Sequence, residues 1–386
     1  MSDVKAAKGG PLRGLQVLEI AGLGPGPFAA MMLADLGADV VRVARANHAS
    51  DGLAVAGRFD LMNRGRRELE LDLKQPTALE QALGLVERAD VLIEGFRPGT
   101  MERLGLGPDA CLARNPALIY ARMTGWGQSG PLASTAGHDI NYIALSGALH
   151  GIGRRGGAPV PPLNLVGDLG GGALFLVAGI LAALFERARS GAGQVVDASM
   201  VEGSALLMTP FFGLLAAGEW RDRHGENSLD SGAHFYDVYE TLDGLHVAVG
   251  AVEDRFYREL MGHLGLAAEE AGVRFDRATW AERKREVAAA IGSKTRAQWV
   301  TLFENSDACF TPVLSMRDAP RHPHNCSRGT FIEVGGVVQP APAPRFSRTP
   351  ASVPHPPGQC PATVEAVLRD WERRVPPAAG HTSGRS

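Results

Sequence analysis

LQVLEIAGLGPGPFAAMMLADLGADVVRV, from Leu15 to Val43, is the stretch that decides the fold. Its first six residues, Leu15 to Ile20, form an apolar run of the length expected for a buried strand. A turn of glycines and prolines follows, from Gly22 to Pro27. Phe28, Met32, Leu33 and Leu36 then recur at helical spacing, and Gly37 closes the helix. Ala38 to Val43 is a second strand. Strand, helix and strand in this order make a βαβ unit, which brings its two strands parallel in one sheet.

The turn invites comparison with a dinucleotide fingerprint and does not fit one. Gly22 and Gly24 match the first two glycines of GxGxxG, but Pro27 stands where the third belongs. Pro25 and Pro27 also remove two N–H donors that would cradle a pyrophosphate. The acidic residue expected about 20 positions on is replaced by Ala44 and Arg45 at the strand end. An arginine there suits a phosphate better than a bare ribose, so NAD is not expected.

The alternation continues outward. Glu68 to Lys74 alternates like a strand, a helix spans about Thr77 to Glu87, and Ala89 to Gly99 is a strand and turn. Ala117 to Pro131 enters a glycine-rich loop. The segment after Asp168 is an apolar helix ending at Gly191, and Gln194 to Met200 is a further strand. The first two hundred residues therefore read as doubly wound α/β. Beyond Gly218 the chain turns charged and glycine-punctuated. Asp237 to Val252 reads as a hairpin about Asp243-Gly244, charged helices follow to Phe303, and Ala308 to Ser315 is a returning strand.

At 386 residues the chain accommodates two domains with separate cores. A net charge of −3 gives no electrostatic case for nucleic acid. The four cysteines are scattered, and no export signal or peroxisomal tripeptide is visible, so a reduced, cytoplasmic location is expected. Leu169–Phe185 and Gly203–Gly218 carry no charge, yet each falls short of the roughly 18 apolar residues of a spanning helix; buried helices are expected there, with no membrane partner. His322, His324 and Cys326 alternate as strand ligands would, but Pro320 and Pro323 make that stretch a loop, and no metal site is expected.

The chemistry gathers between Ala136 and Gly172. AGHDINY places His138 before an apolar run, and NLVGDLGGG does the same for Asp168. An imidazole and a carboxylate aimed at one pocket could move a proton on and off a carbon acid. Taken singly, His138 is no more than a core histidine and Asp168 no more than a helix cap.

In combination the motifs LRGLQVLE (Leu12–Glu19), MLADLGADVVRV (Met32–Val43), LDLK (Leu71–Lys74), GFRPG (Gly95–Gly99), ERLGLG (Glu102–Gly107), IYARMTGWGQSGP (Ile119–Pro131), AGHDINY and NLVGDLGGG resemble the class III CoA-transferase superfamily, within it the α-methylacyl-CoA racemase branch. The likeness runs from about Leu12 to Arg348. It implies an acyl-CoA thioester substrate, no separate cofactor, and a large Rossmann-like α/β domain with a smaller α+β middle domain in an interlocked homodimer. The domains expected are 12–218 for the first part of the large domain, 219–315 for the middle domain, 316–350 for a return segment and 351–386 for a flexible tail.

The reaction implied is epimerisation of 2-methylacyl-CoA esters through an enolate. His138 and Asp168 would serve opposite faces, and Glu253 would orient the imidazole. In the transferase branch the aspartate aligned with Asp168 is instead a nucleophile, and an aromatic residue commonly holds the place of His138. The form GHDINY is racemase-like. A transferase using Asp168, and a non-catalytic acyl-CoA-binding protein, remain the alternatives.

The resemblance places CoA contacts on Arg45, on Leu71, Asp72, Leu73 and Lys74, on Gly95, Phe96 and Arg97, on Arg103, and on Gly137, His138, Asp139, Ile140, Asn141 and Tyr142. Arg58, Arg64, Arg66 and Arg67 read as solvated surface arginines. Backbone donors at a helix start would hold Asp168 ionised, whereas an apolar pocket would raise its pKa; the sequence leaves both open. The N–H groups of Asp168 to Gly171 are expected to be free for an enolate oxygen.

Overall fold

The structure is a computed structural model, and it describes residues 9–45 and 57–372. In chain order its first elements are β1 (Gln16–Ile20), α1 (Pro25–Asp35), β2 (Asp39–Ala44), β3 (Arg66–Glu70), α2 (Pro76–Val86) and β4 (Val91–Glu94). They continue with α3 (Thr100–Arg103), α4 (Pro108–Arg114), β5 (Ile119–Thr124) and α5 (Asp139–Leu145). A π-helix, Leu165–Leu174, then runs directly into α6 (Phe175–Ser190), and β6 (Gln194–Ser199) follows.

The six strands form one sheet in the order β3-β2-β1-β4-β5-β6, and every neighbouring pair is parallel. β1 is buried throughout because helices cover both faces of the sheet. On one face α1 and α6 contribute Ala29, Leu33, Leu176 and Ile180 to a core with Val17 and Ile119. On the other, α2 and α4 pack Leu85 and Cys111 against Leu18 and Leu92. This is the doubly wound arrangement expected from the alternating pattern. The strand order reverses between β1 and β4, so a crevice opens beyond the carboxyl ends of those strands.

Two compact units divide the chain. The larger comprises the chain up to Tyr142, Asn164–Ser204 and the chain from His324; the smaller comprises Ile143–Leu163 and Ala205–Pro323. The smaller unit thus takes in more than the expected 219–315, including a loop before the π-helix. It is built on an antiparallel sheet of Tyr236–Glu240, His246–Gly250 and Phe310–Pro312, as the hairpin signal indicated. Phe235, Tyr257, Trp280 and Trp299 fill its core.

Three expectations are corrected. Residues Pro323–Arg328 form a short helix and not a loop. The expected tail carries an ordered helix, Val364–Glu372, because Val364, Val367 and Trp371 fall on one helical face and enter the sheet's core. Arg64 and Arg66 are not solvated. Arg64 donates to Asp35 and Gln339, and Arg66 donates to Glu19 Oε2 at 3.0 Å while its guanidinium also bonds the Pro27 and Met62 carbonyls. Both side chains are buried, so their charges require these partners.

By length and composition, the 26-residue helical run Leu165–Ser190 could cross a bilayer. Within the unit it lies on β5 and β6, with Leu176, Val177, Ile180 and Ala183 buried. Its approach to the next helix, Met200–Leu207, is set by glycine. A Cβ on Gly203 would stand 1.8 Å from the Gly171 carbonyl oxygen.

Trp371 is 1% exposed; its indole N–H reaches Asp39 Oδ2 at 3.1 Å, and its carbonyl accepts from Gln16 at 3.0 Å. Trp371→Ala should therefore lower unfolding free energy by about 3–5 kcal/mol. Urea denaturation measures this, and a change within error of zero would show that the terminal helix does not hold the sheet.

Candidate active site

The crevice at the strand-order reversal holds a cavity of about 420 Å³. Leu23 to Pro25 reach it from the turn after β1, Gly95 to Pro98 from the turn after β4, and Met123 to Trp126 from the end of β5. His138, Tyr142 and Asp168 also line it, with Thr135 to Gly137 and Met200, so the imidazole and carboxylate singled out from sequence face one cavity.

His138 immediately precedes α5. Its N–H donates to Asn141 Oδ1 at 3.0 Å, and its carbonyl accepts from the Asn141 N–H at 2.8 Å, which anchors the residue at the helix start. The side chain is left exposed to the cavity. Asp168 is presented differently. It lies on the first turn of the π-helix, and the Leu169 N–H bonds the Asn164 carbonyl in the wide register. Asn164 Nδ2 donates to Asp168 Oδ2 at 3.2 Å.

The turn after β1 explains how that carboxylate fits. Gly24 has φ +70, and a Cβ built on it would stand 3.3 Å from Asp168 Oδ2. The glycines and prolines that fail as a pyrophosphate cradle therefore present bare backbone to a carboxylate. Burial pushes the Asp168 carboxyl above the usual aspartate range. The negative charge of Asp139 adds to the rise, while the Asn164 hydrogen bond and the His138 charge partly offset it.

Tyr142 lines the same cavity. Its ring packs edge-on against Trp126 with centroids 4.7 Å apart, and its hydroxyl donates to the Gly137 carbonyl. A Cβ on Gly125 would lie 2.1 Å from this ring. Burial and the Asp168 charge raise the phenol's pKa, with Arg97 acting against them.

Beneath the GFRPG turn is a charged pair that the motif reading passed over. Glu94 and Arg122 are neighbours across β4 and β5, and Arg122 Nε donates to Glu94 Oε1 at 2.9 Å. The second Glu94 oxygen accepts the Phe96 N–H at 2.7 Å, which fixes the turn that carries Phe96 and Arg97 into the cavity. Arg122 also meets Glu102 at 2.9 Å. A glutamate ending the strand VLIE and an arginine inside IYARMT were the available signals, since charges within buried strands require partners.

The expected CoA positions divide by location. Arg45 and Leu71 adjoin at the ends of β2 and β3, where the Leu71 N–H bonds the Ala44 carbonyl at 2.9 Å. Arg45, Asp72 and Lys74 are exposed there, Leu73 is half-buried, and Leu71 is buried. Gly95, Phe96 and Arg97 line the cavity, whereas Arg103 is exposed on α3 and bonds Thr100. Ile140 and Asn141 lie exposed on α5.

Asp139, placed among the CoA positions by the resemblance, is buried, and its Oδ2 accepts the Asp168 N–H at 2.6 Å. The Asp168 and Leu169 N–H groups are consequently occupied and not free for an enolate oxygen, because Asp168 sits inside the π-helix turn and not at its first residue. Glu253 belongs to the smaller unit, where it is exposed and precedes the helix Asp254–Leu264 as its N-cap. Among the described residues no cluster of three His, Cys, Asp or Glu side chains could hold a metal ion.

The matching family model is that of CoA-transferase family III, over residues 12–362. The chain belongs to that family. It is 48% identical to the alpha-methylacyl-CoA racemase of Mus musculus over 363 residues, covering 93% of each chain. To the enzyme of the same name from Homo sapiens it is 47% identical, covering 88% of this chain and 87% of that one. A crystal structure of the hypothetical protein Rv3272 from Mycobacterium tuberculosis superposes with a TM-score of 0.77 at 30% identity, covering 94% of this chain and 99% of that one.

Arg122→Ala would leave the Glu94 carboxylate buried without its cation. The loss expected is about 3–5 kcal/mol of stability, read by chemical denaturation. An unchanged denaturation midpoint would remove the pair as the support of the Gly95–Pro98 turn.

Proposed function

We propose that this family member is an α-methylacyl-CoA racemase, interconverting the epimers of 2-methylacyl-CoA thioesters by proton transfer at the α-carbon without a separate cofactor. The observation that carries the reading is that His138 and Asp168 line one cavity, close enough for the imidazole's charge to act on the carboxyl. The similarity to two proteins named as racemases supports the substrate class.

The α-proton of a thioester is weakly acidic, and its removal needs a base held against the carbon. In one direction neutral His138 takes that proton while protonated Asp168 delivers its own to the opposite face of the enolate. The two groups exchange protonation states in each turnover. The reverse reaction begins from ionised Asp168 and the imidazolium. Desolvation that raises the Asp168 carboxyl brings its proton affinity nearer to that of an imidazole, which favours exchange of roles. Arg45 and Arg103 are assigned to CoA phosphates, with Phe96 and Arg97 beside the thioester arm. Glu253 is assigned to orienting the imidazole and stabilising its cation.

In heavy water the protein should place deuterium at the α-carbon of either epimer as the pool racemises, with no acyl group passed to another acid. His138→Ala and Asp168→Ala should each abolish inversion, any residual exchange favouring opposite epimers. Glu253→Gln should slow exchange at the imidazole's face. Acyl transfer without α-exchange would establish a transferase with Asp168 as nucleophile, and neither activity would leave a binding protein.

The protein is further proposed to act as a homodimer. Within the smaller unit Leu206, Leu207, Phe212 and Leu215 are exposed on adjoining helices, with 59% of Leu206 and 56% of Phe212 open. Such a row of apolar side chains calls for a covering surface. Sedimentation should show a dimer at catalytic concentrations; an active monomer would overturn this assembly.

A further inference from the structure

Asp139 is the ionisable group nearest the reacting pair to which neither proton transfer nor CoA binding gives work. It is 7% exposed, and its Oδ2 accepts the Asp168 N–H at 2.6 Å. Its other oxygen is buried with no hydrogen-bond partner. A carboxylate kept in such surroundings costs stability, so it needs a compensating role.

The geometry supplies one. Asp139 opens α5, immediately after His138, whereas Asp168 lies on the π-helix. The hydrogen bond between them ties the helix that starts beside the imidazole to the turn that carries the carboxylate. We propose that Asp139 is a positioning residue for the proton transfer: its buried side chain, at the start of α5 beside the imidazole, holds the Asp168 backbone at that helix. The role rests on the racemase reading above.

The charged and titratable groups acting on the Asp168 carboxyl are few. Asp139 on α5 raises its proton affinity, and His138 before α5 lowers it. The Tyr142 hydroxyl, also on α5, is coupled to the same carboxylate and to Arg97 from the turn after β4. The turn after β1 presents only glycine and proline beside it, and Asn164 contributes a neutral donor. Asp139 is therefore the one other carboxyl group among these neighbours.

The catalytic competence of the pair has a simple pH dependence. The productive free enzyme carries one proton shared between His138 and Asp168. Because the Haldane relation fixes the ratio of forward to reverse kcat/KM, both directions must share one bell-shaped profile. Its acidic limb reports loss of the first proton from the doubly protonated pair, a step that belongs to the pair and to which Asp168 contributes.

Asp139→Asn keeps a side-chain oxygen to accept the Asp168 N–H but removes the charge. The acidic limb of kcat/KM should then move to lower pH in both directions. Asp139→Ala also removes the tether. It should lower kcat about tenfold or more at the pH optimum while KM changes far less, because misplacing a reacting group affects the transition state most. Circular dichroism and a thermal melt of both variants show whether they fold, and Asp139→Asn restoring kcat lost in Asp139→Ala identifies the tether.

Wild-type α-exchange in heavy water is measured alongside. Exchange in wild type with an unmoved acidic limb in Asp139→Asn overturns this inference alone. No exchange in wild type overturns the racemase reading and this inference with it.

Discussion

The site depends on burying one carboxylate against backbone. A Cβ on the turn after β1 would crowd the Asp168 carboxylate at 3.3 Å, and the φ of +70 there also favours Gly24. The constraint propagates outward. A glycine at φ +70 precedes Pro25 at the first turn of α1, so the helix starts at once and its body covers the sheet. On the other side, the π-helix that delivers Asp168 packs so closely on Met200–Leu207 that Gly171 and Gly203 leave no room for a side chain. Small residues on three elements thus hold open a space that one acidic group fills.

Charge is handled in the same way along the sheet. Glu19 with Arg66, Asp35 with Arg64, and Glu94 with Arg122 are all buried pairs with hydrogen-bonded geometry. Such pairs contribute little net stability, because desolvation offsets most of the attraction. Their value lies in direction. Arg66 bonds the Pro27 carbonyl in the first turn of α1 and the Met62 carbonyl, and Glu94 bonds the Phe96 N–H, so these two pairs fix neighbouring main chain. The turn held by Glu94 lines the cavity.

Sequence distance explains what could be read without coordinates. Strand and helix alternation was legible because periodicity is local, and His138 and Asp168 stood out because two family motifs carry them. The roles of Arg64 and Arg66 were not legible. Their partners Asp35 and Glu19 are distant in sequence, and an arginine without a visible partner reads as solvated. The terminal helix was obscured by the prolines before it, although Val364, Val367 and Trp371 already had helical spacing. The π-helix was hidden for a different reason: an α-helix and a π-helix share the same apolar run, and only the Leu169 to Asn164 hydrogen bond distinguishes them. Asp139 stands among the CoA positions by resemblance alone, and the burial of its carboxylate was not legible, because α5 turns neighbouring residues to different faces.

The surroundings of Asp168 bear on which chemistry the family scaffold supports here. A carboxylate that attacks a thioester must be ionised and open to the carbonyl carbon, so donors or cations around it would favour that use. In this chain its immediate neighbours are a bare glycine turn, one neutral amide and a second carboxylate. Desolvation and like charge both raise its affinity for a proton, and the only opposing charge comes from His138, the other half of the pair. An acid whose opposing charge is that of its proton-exchange partner is coupled to that partner's state. When His138 gains a proton, Asp168 is helped to lose one; when His138 is neutral, Asp168 is helped to keep one. This reciprocity suits two groups that exchange protonation states at every turnover, and it offers a nucleophile no comparable advantage.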